Sequence, residues 1–170
     1  VAARQALEID DQAPEVYNLV GYIYAVEGHV EEALAHYQQA IDLDEWYLDP
    51  LLNTVELLIQ SGADMTEALR LCHVAREMAV EAEDIVEIAL LEADALLAED
   101  RFEEARGRLA DMPPSGALPA IHKVLVGRAY YETDQLAQAE ELLQSAVEAG
   151  EEGAELWYYL GLIARDRGRR

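Results

Sequence analysis

The sequence predicts an all-α fold, a stack of antiparallel helix pairs with about ten helices in all. Three observations predict it. First, small residues recur with a single period. Gly21, Val55, Ala93, Gly127 and Gly161 lie 34, 38, 34 and 34 residues apart. A second series, Ala33, Ala68, Ala105 and Ala139, follows the first four by 12, 13, 12 and 12 residues. A third, Ala40, Ala75, Met112 and Ala146, follows seven residues later, and Ala6 precedes Ala40 by 34. A fixed period of this length marks a repeat architecture. Second, apolar residues inside each period return at helical spacing. Third, 52% of the 170 residues are hydrophobic, enough for a core despite a formal net charge of −23.

The elements follow in order. Residues 1–11 read as the second helix of a preceding pair. Residues 14–44 form the first complete unit. Pro14 suits the first turn of a helix, where a missing N–H costs nothing. Val16, Val20, Ile23 and Tyr24 make one apolar face. Gly28 sits where a left-handed residue ends the helix. Val30, Ala33, Leu34, Tyr37, Ala40 and Ile41 then define the partner helix. The small residues have a geometric purpose: helices crossing at about 8–10 Å need a Gly or Ala where a large side chain of the other helix enters. Gly21 is expected to admit Tyr24 or Tyr37, and Gly127 to admit Tyr130.

The second unit spans about 48–82. It carries one extra residue within Ser61–Met65, and its second helix, from Thr66, is expected to run an extra turn to about Glu81. The third unit, 84–112, ends at Met112-Pro113-Pro114 because proline cannot continue a helix. The fourth spans about 118–149. Residues 153–168 read as the first helix of a fifth. A change of helical stacking angle is expected around 80–118.

Tyr17-x-x-Val20-Gly21-x-x-Tyr24, followed by Gly28, Ala33, Tyr37 and Ala40, resembles the tetratricopeptide repeat (TPR). Val126-Gly127-x-x-Tyr130 with Asp134, Leu136, Ala139, Leu143 and Ala146 does so again, as does Trp157-x-x-Leu160-Gly161. The resemblance covers nearly the whole chain and implies a right-handed superhelical solenoid. The third unit has Ala89 and Glu92 where the family has large apolar side chains, and the family's end-of-repeat proline is missing after the first and fourth units, where Glu45 and Glu151 stand. The chain starts without Met and both ends fall inside a unit, so a segment of a longer solenoid is expected. Arg in place of Lys at eleven of twelve basic positions hints at a high-GC, bacterial genome.

The charge excludes classes of partner. With 12 Lys+Arg against 35 Asp+Glu, the chain lacks the positive surface that nucleic acid and anionic membranes require. No apolar run approaches the roughly 20 residues of a membrane span, and the first residues lack the apolar stretch of a signal peptide; a cytoplasmic location is expected. Cys72 is the single cysteine, so no internal disulfide is possible. It falls at a core position and reads as a structural thiol.

No enzyme is expected. His29, His36, His73 and His122 form no His-Glu-x-x-His pair, Cys72 and His73 point about 100° apart on a helix, and there is no glycine-rich phosphate loop. No metal or other cofactor is implied; Asp42-x-Asp44-Glu45 lacks the glycine and twelfth-position Glu of a calcium loop. The carboxylate pairs Glu31-Glu32, Glu103-Glu104 and Glu151-Glu152 sit near helix starts, where negative charge suits the helix dipole.

A partner-binding face is the live question. Stacked helix pairs make an extended concave surface, lined in the TPR family by the first helix of each pair. By register, the resemblance places Asn18, Tyr22 and Val26 there in the first unit, and Asn53, Glu56 and Gln60 in the second. In the third it places Leu90, Leu91, Asp94 and Leu97, and in the fourth Val124, Leu125, Arg128 and Tyr131. In the last it places Tyr158, Tyr159 and Leu162. About half, Leu90, Val124 and Leu125 above all, read equally well as packing between units.

The partner-binding set is therefore Asn18, Tyr22, Asn53, Glu56, Asp94, Arg128, Tyr131, Tyr158 and Tyr159. Glu56 and Asp94 disfavour a clamp for an acidic peptide terminus and favour a basic or mixed peptide, with tyrosines able to stack on arginine. The expected function is a non-catalytic protein–protein interaction module. The alternatives are a regulatory or targeting domain of a larger enzyme and, ranked lower, a bacterial secretion chaperone. Leu156, Leu160 and Ile163 are expected to be partly uncovered at the end of the array, which implies either a homodimer through one end or a marginal monomer. The basic stretch Arg165–Arg170 reads as a helix end suited to the dipole.

Overall fold

The computed structural model describes residues 12–110 and 112–168. Among the described residues it holds nine α-helices and no strand. They are α1 (Pro14–Val26), α2 (Val30–Leu43), α3 (Leu48–Ser61), α4 (Met65–Met78), α5 (Ala82–Ala98), α6 (Phe102–Leu109), α7 (Ala120–Glu132), α8 (Leu136–Glu148) and α9 (Ala154–Arg167), with a 3₁₀ turn at Ser115–Ala117. The helix expected over 1–11 and the end of the basic stretch, Arg169-Arg170, lie outside the described residues. The chain divides into two compact units, Val1–Leu91 and Glu92–Arg170.

In the first unit α1 packs on α2, α3 on α4, α2 on α3, and α1 on α3. This is the pattern of consecutive antiparallel pairs whose first helices lie side by side. Pro14 opens α1 and Gly28 ends it with φ 80°. The notch at Gly21 is filled by Tyr37: a Cβ on Gly21 would stand 2.6 Å from the ring. Tyr37, Ala33 and Leu57 form a core cluster with Tyr24, Ala25, Val30 and Leu34 against it. The extra residue of the second pair sits in the α3–α4 turn, where Gly62 takes φ 66° and Asp64 caps α4 by accepting from the Glu67 N–H at 3.0 Å. Helix α4 stops at Met78, short of Glu81. Ala79 turns to extended backbone (φ −63°, ψ 129°), so the longer junction is spent on a loop and not on an extra turn.

In the second unit α7 packs on α8, α9 on α8 and on α7, and α6 on α7. Gly127 is a notch too, but for Leu143 and not for Tyr130: a Cβ there would meet Leu143 Cγ at 2.7 Å. Tyr130 instead donates its hydroxyl to the Leu109 carbonyl at 3.1 Å, anchoring the short α6. Pro113 and Pro114 follow α6 and prevent its extension. Glu92 is buried with Arg108 at 3.8 Å, so this departure from an apolar position is met by a charge partner. The single lysine, Lys123, is also buried and donates to Ser145 Oγ at 2.9 Å.

The final helix differs from expectation. Leu156 and Ile163 are fully buried, packed with Val124, Ala139, Leu143 and Ala146. Leu160 is half-buried against the same cluster. The apolar surface that α9 leaves exposed is Trp157 and Tyr158. The argument for a homodimer through uncovered Leu156 and Ile163 therefore falls. Of the basic stretch, Arg165 pairs with Asp166 and Arg167 with Glu140.

Candidate functional site

The expected groove residues fall into two sets of different character. In the first unit, Tyr22, Ala25 and Val26 from α1, Tyr37 from α2, and Asn53, Glu56, Leu57 and Gln60 from α3 line one cavity of about 220 Å³. Five of these, Tyr22, Val26, Asn53, Glu56 and Gln60, are register positions read from the sequence. They converge because α1 and α3 lie side by side and each presents residues four apart on one face.

The rim of the cavity is ordered by amides. Asn53 Nδ2 donates to Asn18 Oδ1 at 2.9 Å, and Asn18 Nδ2 donates to the Tyr47 hydroxyl at 3.1 Å. Gln60 Nε2 donates to Glu56 Oε1 at 2.9 Å. Tyr22 is 56% exposed, a flat wall open to solvent. Glu56 is exposed and forms no ion pair among the described residues. Beneath it, burial and then the negative charge of Glu56 push the Tyr37 hydroxyl up to about 12. The cavity is thus a small negative basin with an aromatic floor and wall.

The second unit places its set differently. Asp94 on α5 and Arg128 on α7 are one repeat apart and pair at 2.9 Å. Arg128 also lies 3.7 Å from Glu132 and 3.9 Å from Glu155. Burial works against its charge, but the hydrogen bond to Asp94 and the charges of Asp94 and Glu132 raise its pKa on balance. Tyr159 donates to Glu132 at 2.9 Å, and Tyr131 to Asp166 at 2.8 Å. Burial and then the bond to Glu132 push the Tyr159 hydroxyl up; the bond to Asp166 does so for Tyr131. The rings of Tyr131 and Tyr159 meet edge-on at 5.5 Å, and Tyr158 meets Tyr159 at 5.3 Å. Of the other register positions, Leu90 and Val124 are buried, while Leu91, Leu97, Leu125 and Leu162 are half-buried.

Asn18–Asn53, Asp94–Arg128 and Tyr131–Asp166 are separated by 35, 34 and 35 residues. The same face of successive first helices is therefore stitched by side-chain bonds one period long. Sequence reasoning placed five of those six residues but not the bonds. It missed Asp166, Glu132 and Tyr47 as their partners. Complementary residue types one period apart, Asp with Arg or Tyr with Asp, were the available signal.

Sequence comparison bears on the repeat directly. Family models of the tetratricopeptide repeat match residues 14–45 and 126–169. The chain carries tetratricopeptide repeats. The first match covers α1 and α2, and the second runs from within α7 through α9. The fold class is the all-α helical-repeat solenoid, shared by solved TPR structures of low identity. One is YrrB, described as a TPR protein with an unusual peptide-binding site; it matches at TM-score 0.62 and 16% identity, over 100% of this chain and 86% of that one. Another, pilF of Pseudomonas aeruginosa, matches at TM-score 0.74 and 15% identity, over 98% and 74%. A third, MamA from Desulfovibrio magneticus RS-1, matches at 0.65 and 19%, over 91% and 85%. No curated protein sequence matches the chain. No helix among the described residues is long and apolar enough to cross a membrane, and no group of three or more His, Cys, Asp or Glu residues among them is placed to hold a metal ion.

Proposed function

We propose that this TPR chain is a non-catalytic protein-interaction module that binds a basic or mixed peptide segment in the cavity between α1 and α3. One observation carries the reading: residues from two successive first helices line a single cavity whose carboxylate, Glu56, has no cationic partner among the described residues. TPR arrays present such faces to protein partners. A partner's arginine or lysine would meet Glu56, its stem would lie on Tyr22, and its backbone would meet the Asn53 amide. The fold match to a TPR protein described as peptide-binding supports a peptide as the class of ligand.

The test is a panel of labelled peptides of equal length and graded charge, read by fluorescence anisotropy. Basic members are expected to bind, with affinity falling as salt rises because exposed charges are screened beyond about 8 Å at physiological ionic strength. Tyr22→Ala is expected to weaken that binding. Preference for acidic members, or binding indifferent to both salt and Tyr22→Ala, would sink the reading.

A further inference from the structure

A second cavity lies away from the α1–α3 site. It has a volume of about 380 Å³ and is lined by Glu45 and Trp46 from the α2–α3 loop and by Val74, Glu77 and Met78 from the end of α4. Trp46 is 72% exposed. Large indoles are usually covered, and those left open on a fixed support are typical anchors of protein contacts. The loop that carries this one is held in place. The backbone N–H of Trp46 donates to Asp44 Oδ1 at 3.0 Å, the backbone N–H of Tyr47 donates to the Asp44 carbonyl at 3.2 Å, and the Tyr47 hydroxyl is held by Asn18. The indole therefore stands on a backbone tied on both sides, which limits the backbone ordering left to be done on binding.

The surroundings select the occupant. Val74 and Met78 give apolar walls, while Glu45 and Glu77 put carboxylates at the mouth. Both elements that meet here are at helix C-termini, α2 ending at Leu43 and α4 at Met78, where the backbone dipoles carry partial negative charge. The last turn of α2 has no basic residue, and Asp42 and Asp44 flank it. Arg76, in the last turn of α4, is not among the lining residues. Glu77 lies 3.8 Å from His73 on its own helix. Residues 12–91 as a whole hold 16 acidic and 2 basic side chains, and Arg70, one of the two, is held by Glu67 at 2.7 Å. A second copy of this chain would bring the same negative charge, so self-association is not what this surface fits.

We propose that the Trp46 cavity is a second docking site, which takes an arginine side chain of a basic partner segment, with the guanidinium over the indole and between Glu45 and Glu77, and the stem against Val74 and Met78. Arginine fits better than lysine because its flat, weakly hydrated cation stacks on an indole face. The site is separate from the α1–α3 cavity and does not depend on the reading given for it.

The chain's two tryptophans supply the assay. In a Trp157→Phe background Trp46 is the sole tryptophan. Its emission is followed while a short peptide alternating arginine with valine is added. The same is done with the lysine peptide and with the neutral citrulline peptide. A saturable change is expected for arginine, a weaker one for lysine and none for citrulline. In a Glu56→Gln background, which removes the carboxylate proposed for the α1–α3 cavity, binding of the labelled arginine peptide should fall about tenfold in Trp46→Leu, as for a cation–π contact, and about two- to fivefold with a flatter salt dependence in Glu45→Gln or Glu77→Gln. Glu56→Gln should leave the Trp46 signal unchanged. The absence of a saturable change, an equal response to citrulline, undiminished binding by a folded Trp46→Leu protein, or loss of the signal in Glu56→Gln would each overturn the proposal.

Discussion

The two units answer the same design problem in opposite ways. Each stacks first helices side by side, and each puts polar residues on the face they share. In residues 1–91, 3 basic residues stand against 19 acidic ones, a net charge of −16; in residues 92–170, 9 stand against 16, a net of −7. The first unit links its shared face with neutral amides, Asn53 to Asn18 to Tyr47, and leaves Glu56 open beside a cavity. The second links it with charge, where Arg128 gathers Asp94, Glu132 and Glu155. A face whose cation is already shared among carboxylates holds repeats together, and a partner must break those bonds to use it. The face that carries Glu56 holds a carboxylate with no ion pair among the described residues, which is where the proposed peptide would bind.

The contrast can be attacked first through what the units share. Tyr37 fills the notch at Gly21, and Leu143 fills that at Gly127. Tyr37→Ala is expected to destabilise by about 3–5 kcal/mol and Leu143→Ala by about 2–5 kcal/mol, read by urea denaturation. Hydrogen exchange should show each loss centred on its own unit. Equal loss of protection in both units from either substitution would contradict their description as separate compact bodies.

The stitching is the next test. Arg128→Met strips the partner from Asp94, which is 25% exposed, and from Glu132, so a cost of about 1–3 kcal/mol is expected. Asn53→Ala removes a neutral amide bond at a half-buried site, and about 0.5–1.5 kcal/mol is expected. If Asn53→Ala proves the costlier change, the division between a charge-held and an amide-held face is wrong.

A smaller effect separates the units by pH. His36 stacks on Tyr24 at 5.3 Å and lies 6.1 Å from Tyr17, with its Nδ1 buried and without a hydrogen-bond partner among the described residues. Burial lowers its pKa from 6.5. The unfolded chain therefore binds the proton first, and the stability His36 confers as a neutral ring is present above about 6.5 and lost as pH falls below it. His36→Phe keeps the stacked ring and should flatten the fall in melting temperature over that range. An unchanged slope would show that this histidine is not responsible.

How much of this was legible in the sequence depends on the kind of contact. Helix pairs were readable because the crossing of two helices demands a small residue at a fixed place, and Gly21 with Ala33 and Gly127 with Ala139 supply it at the same place, 12 residues apart, in the first and fourth units. Which large residue enters the notch was not. Gly127 admits Leu143 and leaves Tyr130 to bond Leu109, because a few degrees of helix rotation decide between neighbours on one face. The α4–α5 junction was misread for a related reason: three additional residues satisfy a helix pattern and a loop equally well, and only the extended backbone at Ala79 decides. Asp94 and Arg128 were each placed on the shared face by register. Their bond to each other spans one repeat, and the signal for it, an Asp and an Arg standing 34 residues apart on one face, is not read by placing each residue by register alone. The buried state of Leu156 and Ile163 follows from packing on α7 and α8, which suffices without a further helix.

The most direct measurement is calorimetric titration of one basic peptide into three proteins: the unsubstituted chain, Glu56→Gln and Asp94→Asn, each with its melting temperature recorded. The expected result is that Glu56→Gln weakens binding and flattens its salt dependence with little change in melting temperature, whereas Asp94→Asn lowers the melting temperature and leaves the affinity intact. The contradicting result is the reverse, with affinity lost in Asp94→Asn and kept in Glu56→Gln. That outcome would place recognition on the charge-paired face and structural linkage on the open one.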